Sequence, residues 1–307
     1  MSPLGEALND YLRIRRQLGF ELKAHERLLN GFVDFLERSG AQHITTELAL
    51  AWAKLPIDAR PYYWRRRLGI VRAFARHVAT IDPSSEVPAE DLLPATQPRV
   101  APYIYSEAEI AALMAAARAL RPPLQAASIE TLIGLMASTG LRLGEALGLD
   151  RRDVDLHDGA LHVRAAKQQK QREVPLHPTT IEALRDYARG RDRLCPAPST
   201  AAFFLNPRGR RLHRVSVHKV FPQLIREVRL EGCGQRARPR AHDLRHAYAV
   251  RTLLGWHRCG EEVERKLPLL ATFLGHAQPA SSYWYLQAVP ELLQLIGRRL
   301  DDVLGEA

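Results

Sequence analysis

Arg142 stands at a corner of the chain. An apolar run containing Leu132, Ile133, Leu135 and Met136 leads into Thr139-Gly140, and a second short run extends from Leu143 to Leu149. Gly140 allows one helix to stop and another to start, because glycine accepts positive φ without steric cost. A guanidinium held at such a corner presents planar, paired donors suited to a phosphate or a carboxylate. Glu145 lies three residues on. The same spacing therefore also allows a plain i,i+3 ion pair, worth roughly a few tenths of a kcal/mol when exposed. Further along, His242 and Arg245 fall three apart at an expected helix start and share a face. Leu274-Gly275-His276 follows a helical run with Leu267, Leu269, Leu270 and Phe273, and Tyr285 comes nine residues after His276. Singly these are weak signals; a histidine at a helix end is more often structural than catalytic.

The elements that must hold these residues are mostly helical. Leu28-Leu29, Phe32-Val33 and Phe35-Leu36 recur at helical spacing, with Gly40 where a C-cap would sit, and Thr45 or Thr46 can cap a helix with Leu48, Leu50, Trp52 and Leu55. Pro61 opens a further helix with Leu68, Ile70, Val71, Phe74 and Val78 on one face. Its cations, Arg65, Arg66, Arg67, Arg72 and Arg76, lie largely off that face. Beside Tyr62, Tyr63 and Trp64 they form a stripe that can follow a phosphate backbone, or equally an ordinary solvated face. Residues 83–103 carry five prolines and little periodicity, which predicts a semi-extended connector between a helical domain at 1–82 and a second domain at 104–307. Ser106 and Glu109 predict a capping box. After Asp153 the texture changes: Leu161 and Val163 alternate with His162 and Arg164, and Glu173-Val174-Pro175-Leu176 resumes an extended run. This predicts a β-hairpin with Lys167 at the end of its first arm and Lys170 and Arg172 near the turn. Phe203-Phe204-Leu205 reads as a short strand, and 215 onwards is helical again apart from 232–240. The expected class is mainly α with a small β-sheet.

Lys and Arg number 44 against 34 Asp and Glu, a formal net charge of +10, which suits a polyanionic partner and nucleic acid first. No apolar run is long enough to span a bilayer, and the first residues lack the continuous apolar core of a signal peptide. Cys195, Cys233 and Cys259 make no metal-ligand spacing and read as reduced thiols, so the expected compartment is the cytoplasm.

Together, TGLRLGEALGL around Arg142, the Lys167 hairpin, HDLRH at 242–246, LGHA at 274–277 and a tyrosine nine residues beyond His276 resemble the tyrosine recombinases, the phage-integrase and Xer-like family. The resemblance covers roughly 105–300; the helical N-terminal part and proline-rich segment are similar, less specifically, to that family's core-binding domain and linker. It implies that Arg142 and Arg245 grip the scissile phosphate, with Glu145 the acidic residue beside the first arginine. It implies that Lys167 is the hairpin lysine, His242 and His276 the two histidines, and Tyr285 the nucleophile. Leu286-Gln287 replaces the Thr-His that often follows the nucleophile, and Arg245 and His276 are 31 residues apart, longer than in Xer-like members. The longer spacing looks more like transposon-associated recombinases. Tyr283 is a rival nucleophile and Lys170 a rival acid.

The family's chemistry fits these residue types. A tyrosine oxygen can form a phosphodiester that a DNA hydroxyl later reverses, so neither water nor nucleotide hydrolysis is needed. Two permanently charged guanidiniums and an imidazole can stabilise the pentacoordinate transition state without metal or cofactor. The implied partner is double-stranded DNA, bound by a homotetramer on two duplexes, with or without other recombinases; no membrane is involved. The C-terminal run from Pro290 to Leu304 would dock on its own core or in a neighbouring protomer. Two other functions share the fold: a non-catalytic DNA-binding regulator, and a type IB topoisomerase-like enzyme that relaxes DNA without exchange.

Overall fold

The computed structural model describes residues 2–94, 102–164, 171–230 and 238–275. The chain divides into two compact units, Met1–Arg99 and Val100–Ala307.

Four helices form the described part of the first unit: α1 (Pro3–Gln17), α2 (Lys23–Arg38), α3 (Thr46–Lys54) and α4 (Pro61–Val78). Ser2 and Thr45 cap α1 and α3 by accepting the backbone N–H of Gly5 and Leu48, and proline opens α1 and α4, where its missing donor costs nothing. Leu29, Phe32, Leu36, Trp52, Leu68 and Phe74 fill the core, with the Phe32 and Trp52 rings edge to face at 5.2 Å.

Two sequence expectations change here. Residues 83–94 do not stand off as a connector but run back along the unit. Glu86 accepts the Thr46 N–H at 2.8 Å and Ser85 that of Ile44 at 3.1 Å, while Leu93 is buried. Nor is the basic face of α4 a free stripe. Arg72 donates to the carbonyls of Pro88 and Ala89, both at 2.6 Å, Arg65 to that of Leu93 at 3.1 Å, and Arg76 pairs with Glu90 at 3.1 Å. Arg67 points inward: it is buried, donates to the Trp52 carbonyl at 2.9 Å and lies over the Trp52 ring at 3.6 Å. At helical spacing Arg67 falls beside the apolar face, and its guanidinium is held by a ring and a carbonyl. Arg66 and Arg76 are exposed.

In the second unit α5 (Glu107–Arg118) starts with both halves of the Ser106–Glu109 capping box. The next helix, α6 (Pro123–Thr139), is buried around most of its circumference and packs against α5, α8 (Pro178–Leu194) and α10 (Asp243–Arg258), so it is the unit's centre. Between α6 and α8 come α7 (Leu143–Gly148), a 3₁₀ turn (Arg151–Asp153) and the strands β1 (Val154–Asp155), β2 (Ala160–Arg164) and β3 (Gln171–Pro175). They form an antiparallel sheet in the order β1-β2-β3. Leu161 faces Val174 and Val163 faces Arg172 across the ladder; Leu161, Val163 and Val174 are buried. Helices α9 (Arg214–Glu227) and α11 (Val263–Leu274) complete the described elements. Phe203, Phe204 and Leu205 are core residues, but the chain there makes only isolated bridges, Asp150 with Ala202 and Leu205 with Arg211. The stretch Gly255–Pro268 extends α10, turns at Cys259-Gly260 and enters α11, which carries Pro268 within it.

Candidate active site

The site is built around the C-terminal end of α11. Three consecutive carbonyls there, from Phe273, Leu274 and Gly275, receive three arginines from three other elements. Arg172 Nε of β3 donates to Phe273 O at 2.8 Å, Arg245 Nη2 of α10 to Leu274 O at 2.6 Å, and Arg142 Nη2 to Gly275 O at 2.7 Å. A helix leaves its last carbonyls without intrahelical partners and carries partial negative charge at that end. Helix α11 has no cation in its own last turn, so the compensation comes from elsewhere in the fold.

Two glycines make this approach possible. Gly140 ends α6 at φ +63°, and a Cβ there would lie 2.6 Å from the Tyr248 ring and 2.8 Å from Leu274. Its carbonyl accepts Arg245 Nη1 at 2.8 Å. Gly275 ends α11 at φ +67°, and a Cβ there would lie 2.6 Å from Arg172 Nη1. Each position therefore needs glycine both for its left-handed backbone and for close contact.

Arg142 is the N-cap of α7. Its backbone N–H donates to Glu145 Oε2 at 2.9 Å and its Nη1 to Glu145 Oε1 at 2.7 Å. The i,i+3 ion pair expected from spacing is thus present, and it belongs to the site. Glu145 takes two further bonds from Arg172, Nη1 to Oε1 at 3.1 Å and Nη2 to Oε2 at 2.9 Å. Burial opposes ionisation of Glu145, but the donors of Arg172 and Arg142 outweigh it and lower its pKa to about 2. The Arg142 side chain is 40% exposed, against 12% for Arg172 and 10% for Glu145. Arg142 is accordingly the member of this trio that an incoming anion can reach, whereas Arg245 is buried.

His242 is the residue before α10, its ring perpendicular to that of His246 at 4.9 Å. Loss of surrounding water, then the charge of Arg245, with smaller contributions from Arg240 and Arg142, holds its pKa below the ordinary imidazole value against the opposing pull of Asp243. A neutral ring nitrogen can take up a proton. The start of α10 is locked by the fully buried Asp243, which accepts the Arg240 N–H at 2.9 Å and Arg240 Nη2 at 3.0 Å. Tyr105 in turn donates to the Arg240 carbonyl at 3.2 Å.

The structure therefore brings together Arg142, Glu145, His242 and Arg245 from segments far apart in sequence. Lys167, Lys170, His276, Tyr283, Tyr285 and the 290–304 run lie outside the described residues, although His276 directly follows Gly275 in sequence. Sequence reasoning missed the part played by Arg172, read only as a cation near a turn, and by Asp243. A period-2 count back from the buried Val174 places Arg172 on the core face and would have found it. Among the described residues no group of three or more His, Cys, Asp or Glu could hold a metal ion, and no helix is long and apolar enough to cross a membrane.

Residues 104–291 match the phage integrase family. A Sinorhizobium fredii protein assigned as an integrase/recombinase, y4rB, is 42% identical over 307 residues, covering 98% of each chain. The tyrosine recombinase XerD of Mycobacterium tuberculosis is 33% identical over 294 residues, covering 90% of each. Among solved structures, the Tn1549 transposon integrase in complex with circular intermediate DNA superposes with a TM-score of 0.67 at 16% identity, over 97% of this chain and 99% of that one. That likeness extends the shared fold over both units. With the arginine-lined corner in place and these matches spanning nearly its whole length, the chain belongs to the phage integrase family and is a tyrosine recombinase.

Proposed function

We propose that this recombinase cuts and rejoins duplex DNA at specific sites through a 3′-phosphotyrosyl intermediate carried by Tyr285. The tyrosine oxygen attacks the scissile phosphorus, the bond from phosphorus to the 5′ oxygen breaks, and the products are a 3′-phosphotyrosine and a free 5′-hydroxyl. That hydroxyl, or one from a partner duplex, later attacks the phosphotyrosine and releases the enzyme. Tyr285 must lose a proton, and His242, kept neutral by its surroundings, is assigned as the acceptor. Lys167 is assigned as the donor to the leaving 5′ oxygen, and His276 as a donor to the phosphate. Arg142 and Arg245 supply the charge that stabilises the transition state; loss of one such preorganised donor costs about 3–4 kcal/mol.

One observation carries the reading: the guanidiniums of Arg142 and Arg245, 103 residues apart in sequence, donate to adjacent carbonyls, Gly275 and Leu274, immediately before His276. Fixed donors aimed at partial negative charge form a seat that a phosphate diester can take over. For the first unit the assigned role is to clamp DNA, and the assembly is assigned as a homotetramer on two duplexes. A lambda integrase tetramer on a Holliday junction has the same fold, with a TM-score of 0.60.

The test is covalent trapping on nicked suicide DNA that carries sequence flanking the native gene. Wild-type protein is expected to give a stable protein–DNA adduct in the presence of chelator, and Tyr285→Phe none. Adduct formation by Tyr285→Phe would transfer the role to another residue, Tyr283 first. Adduct that depends on a divalent metal would contradict a clamp made of side chains alone. Relaxation of any plasmid without a site would favour a topoisomerase.

A further inference from the structure

We infer that Arg172 is a positioning residue for strand cleavage, acting through Glu145 to hold the Arg142 guanidinium aimed and its charge uncancelled. The inference rests on the proposal that Arg142 grips the scissile phosphate.

The geometry is that of one carboxylate shared by two cations. Each Glu145 oxygen takes one bond from Arg142 and one from Arg172, so both oxygens are doubly occupied. Were Glu145 paired with Arg142 alone, the buried carboxylate would cancel the very charge that must meet a phosphate. With Arg172 present, the trio keeps a net positive charge. Arg142 is the more exposed of the two cations and faces outward, while Arg172 remains inside as the counter-cation. Arg172 also ties β3 to α11 through Phe273 O, one residue from the carbonyl that holds Arg245 and two from the one that holds Arg142. It thus fixes the carboxylate and the carbonyl row together. Lysine cannot substitute, because a single ammonium lacks the forked and Nε donors that make these three contacts. Arg172 lies close against Gly275, where a Cβ would come within 2.6 Å of its Nη1. The groups facing Glu145 are Arg172 from β3 and Arg142 from its own corner, and the hydrogen bond from Arg172 is the largest single influence lowering its pKa.

The experiment measures single-turnover cleavage of suicide DNA at saturating protein, with DNA affinity and thermal unfolding followed in parallel. Arg172→Lys retains the charge and is the primary variant; Arg172→Ala and Glu145→Gln complete the set. We expect Arg172→Lys to cleave about 10–100-fold more slowly, the range for loss of one orienting contact, with DNA affinity within about threefold of wild type. The pH profile should change as well: Arg172→Lys should lose activity on the acid side, where Glu145 now takes up a proton, and Glu145→Gln should abolish that added limb. Arg172→Ala combined with Glu145→Gln should be no worse than Arg172→Ala alone, because both act through one carboxylate. Cleavage by Arg172→Lys within about threefold of wild type, an unshifted pH profile, or multiplicative losses in the double variant would overturn the inference. Failure of both Arg172 variants to fold would make the residue a folding element and overturn it too. Failure of wild type to form the adduct would instead strike the proposed function.

Discussion

Two sets of arginines, one in each unit, donate to backbone carbonyls, and their difference separates a scaffold from a site. In the first unit Arg65 and Arg72 come from a single helix, α4, and their targets, Pro88, Ala89 and Leu93, are strung along a non-helical segment. In the second unit Arg142, Arg172 and Arg245 come from a helix cap, a strand and a helix, and their targets are consecutive carbonyls at one helix end. A row on one helix can only spread its charge; donors from separate elements can converge. The second arrangement concentrates positive charge at a point, and it is kept from collapsing by a single shared carboxylate, Glu145.

The strongest way to break this comparison is to remove a convergent cation. Arg142→Ala or Arg245→Ala should each lower the single-turnover cleavage rate by about 10²–10³. Arg72→Ala in the first unit should change that rate by no more than about threefold, since surface donors to carbonyls contribute only about 1 kcal/mol each to stability. Comparable losses from the two units would erase the distinction.

Next in size is the corner itself. Gly140→Ala must place a Cβ 2.6 Å from the Tyr248 ring while holding φ near +63°. It should destabilise the second unit by about 1–3 kcal/mol, read as a lower midpoint in denaturant, with cleavage impaired in the fraction that stays folded. An unchanged midpoint would mean that the two helices can separate freely and that the corner is not rigid.

Acid stability gives a smaller and more specific effect. The Glu145 pKa is lowered from an ordinary 4.5 to about 2 on folding. A depressed folded pKa contributes stability that is fully present above about pH 4.5 and is lost as pH falls toward 2. Wild type should therefore lose stability across that window more steeply than Glu145→Gln, followed by unfolding at a series of pH values. Parallel curves would mean that the carboxylate is not held by its arginines.

The smallest effect concerns the exposed cations of α4. If the first unit contacts DNA through them, Arg66→Ala and Arg76→Ala should each reduce the salt dependence of binding by about one unit of slope, with sequence preference unchanged. No change in slope would leave the unit's basic face to its intramolecular role.

Much of this was legible in the sequence, for identifiable reasons. The Gly140 corner, the Ser106 capping box, the α10 start and the β2–β3 alternation are local patterns, and local sterics and hydrogen bonding enforce them. The linker was not legible: prolines at 83, 88 and 94 disfavour helix, but nothing local reveals that Arg65, Arg72 and Thr46 would bind the intervening backbone and side chains. Arg67 was misread because a guanidinium beside an apolar face can turn inward as readily as out, and only the position of Trp52 decides it. Phe203 and Phe204 had the composition of a strand but no long partner to ladder with. Arg172 was hidden by its neighbours, since a cation next to Gln168-Gln169-Lys170 reads as turn chemistry until the strand register is known. The roles assigned to Lys167, His276 and Tyr285 came from resemblance rather than spacing.

The most direct measurement compares suicide DNA with an ordinary scissile phosphate against the same DNA with a neutral methylphosphonate at that position. Wild type, Arg142→Ala and Arg245→Ala would be assayed on both by single-turnover cleavage. If the two guanidiniums act on the charge of one phosphate, the 10²–10³-fold losses expected on ordinary DNA, about 3–4 kcal/mol, should shrink at least about tenfold on the neutral linkage. Equal losses on the two substrates would mean that these arginines hold the protein together rather than the phosphate, and the account of the site would fail.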